Sequence, residues 1–252
     1  MIRAIHHVGI VVRRLSDAYR LYRDVLGLPL VREAEVGDQG VRAALLAAGD
    51  SEIELLEPLD PQNGVGRFLA RHGEGLHHVC FDTPDVAGAL AAVKDRGGAV
   101  IDETPRPGLA GTIAFLHPRA CAGVLVELAT PFPHEGVPPS STLRLKRLIV
   151  GAKDVRAATE TFQRLFGFSE IAINGGPRAM LGVARSALLV VPAEEVGGSE
   201  GMVALSMVSD DFAGLMDALD RARTPGVLRG TGEVTLEPVA THGVPLHISR
   251  YE

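Results

Sequence analysis

Several things are scarce in this chain. Tryptophan is absent and aromatic residues amount to 4% of the 252 residues. Basic charge is not in excess: 25 Lys and Arg stand against 31 Asp and Glu, a net charge of −6. A nucleic-acid binder needs a basic surface, so that class is excluded. No apolar run reaches 18 residues, so no membrane span is expected. Only Cys80 and Cys121 are present, too few for a disulfide framework. Cys80 lies in an apolar run and reads as a buried free thiol, which fits a reducing, cytoplasmic compartment. The start, Met1 to His7, is already strand-like and does not read as a signal peptide.

What is present is repetition. Ile5-His6-His7-Val8 is echoed by Leu76-His77-His78-Val79, with the second histidines 71 residues apart. After Ile5–Val12, read as a strand, Ser16 is a candidate N-cap, and Ala18, Leu21, Tyr22, Val25 and Leu26 recur at helical spacing until Gly27. Leu28–Glu35, Val41–Ala47 and Glu52–Glu57 follow as a meander, turning at Asp38-Gln39-Gly40 and Gly49-Asp50. A loop from Pro58 leads to a short helix over Val65–Arg71. The order then returns: strand Leu76–Asp82, helix capped by Asp85 and ended by Gly97-Gly98, and strands Val100–Glu103, Ile113–His117 and Val124–Leu128. The Pro-, Gly- and Ser-rich stretch at 131–142 reads as a linker. Beyond it come strand Leu145–Ala152, helix Val155–Phe166, and strands Glu170–Asn174, Arg178–Gly182 and Ser186–Val191. A fourth round starts with a strand at Met202, continues through helix Phe212–Ala222, a loop-like Thr224–Gly232, and a last strand Val244–Arg250. The expected class is α+β, with four βαβββ units in two tandem domains, residues 1–130 and 143–252.

Four titratable residues interrupt apolar strands at places where a half-buried sheet carries apolar side chains: His7, Glu54, His78 and Glu127. An unpaired buried carboxylate costs several kcal/mol, about 2 or more. One divalent cation would satisfy two carboxylates and two imidazoles together, and this donor set suits Co, Mn, Ni, Fe or Zn ions. The plainer reading also stands on spacing alone: a histidine in an apolar strand is as a rule a hydrogen-bonded core residue, and a glutamate near a strand end ordinarily faces solvent. His6 and His77 point to the opposite face and read as packing residues. His117, before Pro118, reads either as a site-rim residue or as a turn histidine; His72 and His134 read as solvated.

The βαβββ repeat with these four positions resembles the vicinal oxygen chelate superfamily (glyoxalase, bleomycin-resistance and dioxygenase proteins). Residues 3–130 resemble its methylmalonyl-CoA epimerases, through Ile5–Val12, Gly49–Pro58, Gly73–Val79, Phe115–Pro118 and Gly123–Leu128. The resemblance implies curved, open-barrel mixed sheets and a divalent metal held by His7, Glu54, His78 and Glu127. It also implies 1,1-proton transfer at C2 of a malonyl-CoA thioester such as methylmalonyl-CoA. Glu127 would then be base as well as ligand. Some members carry a second glutamate shortly after the Gln-Gly-Val turn; here that position is Ala43, and His117 or a water is left as the second proton carrier. In the second half Arg147, Leu188, Ala204 and His247 fall where His7, Glu54, His78 and Glu127 lie, so a degenerate domain without metal is expected. It would supply a partner surface or a wall of the cleft, as single-domain relatives do by pairing, in a monomer or homodimer. The alternatives on the same scaffold are a glyoxalase-type isomerase or lyase, an extradiol-type dioxygenase, and a small-molecule-binding resistance protein.

Overall fold

In the computed structural model, residues 2–37, 39–133, 139–174 and 176–251 are described. Asp38 of the expected turn, His134, and residues 134–138 of the expected linker therefore lie outside the described residues. The first repeat is strand β1 (Ala4–Val11), helix α1 (Leu15–Tyr19, continued as a π-helical turn over Arg20–Val25), then β2 (Leu30–Val36), β3 (Val41–Ala48) and β4 (Ser51–Pro58). Helix α2 (Gly64–His72) leads to the second repeat: β5 (Gly75–Asp82), α3 (Val86–Asp95), β6 (Arg106–Pro107), β7 (Gly111–Leu116) and β8 (Val126–Pro131). The third is β9 (Leu143–Ala152), α4 (Val155–Phe166), β10 (Ser169–Ile171), β11 (Ala179–Val183) and β12 (Ser186–Pro192). The fourth is β13 (Gly201–Ser209), α5 (Phe212–Arg221), β14 (Val227–Gly230), β15 (Glu233–Leu236) and β16 (Leu246–Ser249).

Two eight-stranded mixed sheets result, ordered β2-β3-β4-β1-β5-β8-β7-β6 and β10-β11-β12-β9-β13-β16-β15-β14. The same order appears twice because each βαβββ unit makes the same crossover. Its first strand pairs in parallel with its last, and the three later strands meander antiparallel. The fold is thus four βαβββ units in two tandem sheets.

Three local expectations are corrected. Ser16 does not cap α1; the N-cap is Arg14, and the Leu15 amide of the first turn donates to Glu57 Oε2 at 2.8 Å, so a carboxylate distant in sequence takes over the capping, while the Arg13 amide, ahead of the helix, donates to Glu74 Oε1 at 2.7 Å. Val100–Glu103 is not a strand: Val100 makes one isolated bridge to Leu116, and Asp102 instead accepts the Phe115 amide at 2.8 Å. Thr224–Gly232 is not all loop. Val227–Gly230 forms a hairpin with Glu233–Leu236, turned at Gly232 with φ +75°.

By contacts the chain groups into two compact units. One comprises Met1–His6, His78–Pro133 and Arg147–Val203, joining most of the second and third repeats. Within it the Phe81 ring meets those of Phe166 and Phe168 at 5.1 Å, and the Arg96 guanidinium donates to the Leu165 carbonyl at 2.7 Å. The other comprises His7–His77, His134–Lys146 and Ala204–Glu252, joining most of the first and fourth. Within it the buried Tyr22 hydroxyl donates to the Thr241 carbonyl at 2.9 Å, and His242 Nδ1 lies 3.0 Å from Glu74 Oε1. Burial, with the Glu74 carboxylate adding to it, pushes the Tyr22 hydroxyl far above its ordinary value, so it stays a donor. Gly243 (φ +84°) permits the closest approach there: a Cβ would sit 1.9 Å from the Glu74 carbonyl oxygen.

Gly243→Ala is therefore expected to lower stability by more than about 1 kcal/mol, and Tyr22→Phe by about 1 kcal/mol. Urea unfolding of the two variants beside the parent chain measures both.

Candidate metal centre

Register carries the side chains into place. On β1 and β4, which run parallel, Gly9 is the partner of Glu54. His7 precedes Gly9 by two residues and so shares its face. On β5 and β8 the same figure recurs: Cys80 is the partner of Glu127, and His78 precedes Cys80 by two. Each first strand thus offers an imidazole, and each last strand a carboxylate on the neighbouring track.

The resulting pairs are close and dry. His7 Nε2 lies 3.5 Å from Glu54 Oε2, with side-chain exposures of 1% and 7%. His78 Nε2 lies 3.1 Å from Glu127 Oε2, at 2% and 5%. The ligating atoms of His7, Glu54 and His78 all fall within 4.8 Å of one another. Buried carboxylate oxygens facing imidazole nitrogens are a donor set that fits a divalent ion of the first transition row. The same atoms arranged as bare ion pairs would carry a desolvation cost of several kcal/mol, about 2 or more per ion.

Around His78 the support is layered. The Phe115 ring stands edge-on to the His78 ring at 5.5 Å, and Phe115 is also the antiparallel partner of Glu127. The Arg106 guanidinium lies over the Phe115 ring at 5.6 Å and donates to Asp102 Oδ1 at 3.1 Å. Asp102 Oδ2 accepts the Phe115 amide, so one carboxylate fixes both layers.

Neither Glu127 nor His117 is in that gathered group of three, though Glu127 meets it through its contact with His78. His117 follows β7 and caps a short 3₁₀ turn, its Nδ1 accepting from the Arg119 amide at 3.2 Å. His77 stands edge-on to Phe68 at 5.0 Å, and the His72 ring lies 5.0 Å from the same ring. Ala43 is buried and shares the Glu54 face, because Leu45, two residues on, is the partner of Glu54. That face therefore carries a methyl group where a second carboxylate would stand.

One polar neighbour is not singled out by the sequence pattern. Glu52 is buried and is the register partner of His7, on the same face. The signal that finds it is the period of two counted back from Glu54. Cys80 gathers with His6 and His7 within the same 4.8 Å. In the second half the equivalent track is bare. Arg147 pairs with Ala187 as His7 does with Glu52, so Leu189, rather than the predicted Leu188, occupies the place of Glu54. Ser206 pairs with His247 as Cys80 does with Glu127. His247 Nε2 lies 3.2 Å from Glu233 Oε2 at the surface.

Among the described residues no helix is long and apolar enough to cross a membrane. Both cysteines are buried and neither forms a disulfide.

Comparison with known proteins defines the class. The profile of the Glyoxalase/Bleomycin resistance protein/Dioxygenase superfamily matches residues 6–115. An uncharacterised Bacillus subtilis protein, YqjC, is 41% identical over 126 residues, 50% of this chain and 90% of its own. The chain belongs to this superfamily.

Within it, the first half matches methylmalonyl-CoA epimerases in sequence and structure. The ethylmalonyl-CoA/methylmalonyl-CoA epimerase of Cereibacter sphaeroides is 34% identical over 51% of this chain and 98% of its own. A variant of the Streptomyces coelicolor methylmalonyl-CoA epimerase, solved with 2-nitronate-propionyl-CoA, is 38% identical and covers 53% of this chain and all of its own, with a TM-score of 0.51. Over the whole length, a variant of 4-hydroxymandelate synthase from Streptomyces coelicolor matches with a TM-score of 0.73, covering 98% of this chain and 92% of its own. At 16% identity that likeness shows the fold of both halves and nothing of their chemistry.

Burial pushes the Cys121 thiol up to about 12, which leaves about one thiolate in ten thousand at pH 8. Native protein treated with iodoacetamide at pH 8 is expected to stay unlabelled at Cys121 and at the fully buried Cys80, while urea-unfolded protein takes two adducts by mass spectrometry.

Proposed function

We propose that this chain is a metal-dependent epimerase of a 2-substituted malonyl-CoA thioester such as methylmalonyl-CoA. The observation that carries the reading is the pair of buried His–Glu contacts at equivalent register positions, His7 with Glu54 and His78 with Glu127. They lie in the half that is similar to methylmalonyl-CoA and ethylmalonyl-CoA epimerases. His7, Glu54, His78 and Glu127 would hold one divalent cation. When bound, that ion supplies a Lewis acid that stabilises negative charge on the thioester oxygen as the C2 proton leaves.

The protein's own groups move the proton. Glu127 takes it from C2 on one face: Oε2 is turned to His78, and Oε1 is assigned to the proton. His117 returns a proton to the other face and so inverts C2. Its Nδ1 accepts the Arg119 amide, which places the mobile hydrogen on Nε2. The half-buried Arg106 over Phe115 suits the substrate carboxylate or a phosphate of the carrier. The compartment is proposed to be the cytoplasm. The domains are proposed as residues 1–130, bearing the site, and 143–252, without a metal.

A second reading, an oxygen-consuming dioxygenase, draws on the full-length likeness to 4-hydroxymandelate synthase. It calls for two histidines and one carboxylate, a set that His7, His78 and Glu54 would supply, and Glu127 beside His78 as a fourth protein ligand counts against it.

Metal analysis is expected to find one divalent ion per chain, and little in His78→Ala or Glu127→Ala; full occupancy in both variants would overturn the site. In D₂O the protein is expected to wash deuterium into C2 of methylmalonyl-CoA, and a chelator to abolish this. Glu127→Gln is expected to slow it by about 10² to 10⁴. Oxygen uptake without exchange would establish the second reading instead.

A further inference from the structure

Across β9 to β12 the two faces of the second-half sheet differ in burial, and the less buried one is organised. On the side packed by α4, Leu148, Leu188 and Leu181 are at most 1% exposed. On the other side, successive register partners across β9, β12, β11 and β10 are Ile149, Leu189, Met180 and Ile171. The first three are half-buried and Ile171 is 42% exposed. A continuous apolar row that stays partly exposed across four strands, about 14 Å, is uncommon on a protein surface and marks a binding face.

The row beside it is Arg147, Ala187, Gly182 and Ser169, again register partners in order. Three small residues make a shallow trough along the apolar row. At the far end Ile171 leans over it: a Cβ on Gly182 would meet Ile171 Cδ1 at 3.1 Å. At the near end stands Arg147, half-buried. Its side chain makes no hydrogen bond or ion pair with any other described residue. A guanidinium partly withdrawn from water and left without a protein partner favours an anion, and its planar fork matches a carboxylate.

We infer that this face of the second half binds an amphipathic monocarboxylate, with the carboxylate on Arg147 and the hydrocarbon chain along Leu189, Met180 and Ile171. The inference is independent of the reaction proposed for the first half, since none of these residues belongs to that site.

The test uses the full chain labelled with ¹³C at the methionine methyls and titrated with octanoate. The Met180 methyl is expected to shift in a saturable way, while the buried Met207 methyl stays in place. Arg147→Gln is expected to weaken octanoate at least about tenfold and to leave octanol binding unchanged. Ala187→Leu, which fills the trough, is expected to abolish both. Glu127→Ala is expected to bind octanoate like the parent chain. An unmoved Met180 resonance would overturn the inference. So would equal octanoate affinity in parent and Arg147→Gln, or sulfate competing as well as octanoate, which would mean an anion site without a hydrocarbon subsite.

Discussion

Two buried histidine–glutamate contacts constrain the first half more than any other interaction. His7 with Glu54 and His78 with Glu127 place four titratable groups where solvent does not reach. Removing such groups from water carries a cost of several kcal/mol, about 2 or more each, so the backbone must hold every partner in register. The crossover of each βαβββ unit does this, because it sets the first strand parallel to the last. A slip of one residue would turn an imidazole to the wrong face of the sheet.

The same crossover, used four times, leaves surfaces that each repeat cannot bury alone. In one compact unit the Phe81, Phe166 and Phe168 rings close together. In the other, Tyr22, Glu74, Thr241, His242 and Gly243 meet through a buried hydroxyl, an imidazole–carboxylate pair and a backbone approach that only glycine permits. Residues far apart in sequence thereby complete one another's cores, as stacked repeats must.

Backbone order and chemistry have separated in this chain. Both sheets have the same strand order and the same kinds of register, yet the second carries Arg147, Leu189, Ala204 and His247 on the tracks of the four candidate ligands. A scaffold whose packing face is maintained by its helix can exchange everything on the open face at little cost to stability. That freedom separates a polar, buried centre in the first half from an apolar trough with one cation in the second.

Repetition, helix and strand periods and the four interrupted strands are local properties, so the sequence by itself determined the four βαβββ units and the candidate ligands. His7, Glu54, His78 and Glu127 stand out because a charged residue breaks an apolar alternation, a signal contained within a few residues. Tertiary structure decided what depends on partners distant in sequence. Glu57 displaces Ser16 as the cap, because a carboxylate from β4 reaches the Leu15 amide. Asp102 prevents the expected strand at Val100–Glu103 by accepting the Phe115 amide. Strand β14 forms where the sequence is loop-like, because β15, itself paired with β16, offers it an edge. Glu52 shows the boundary between the two kinds of knowledge. Its identity is plain in the sequence, but its burial beside His7 follows only from the register of two strands some 45 residues apart.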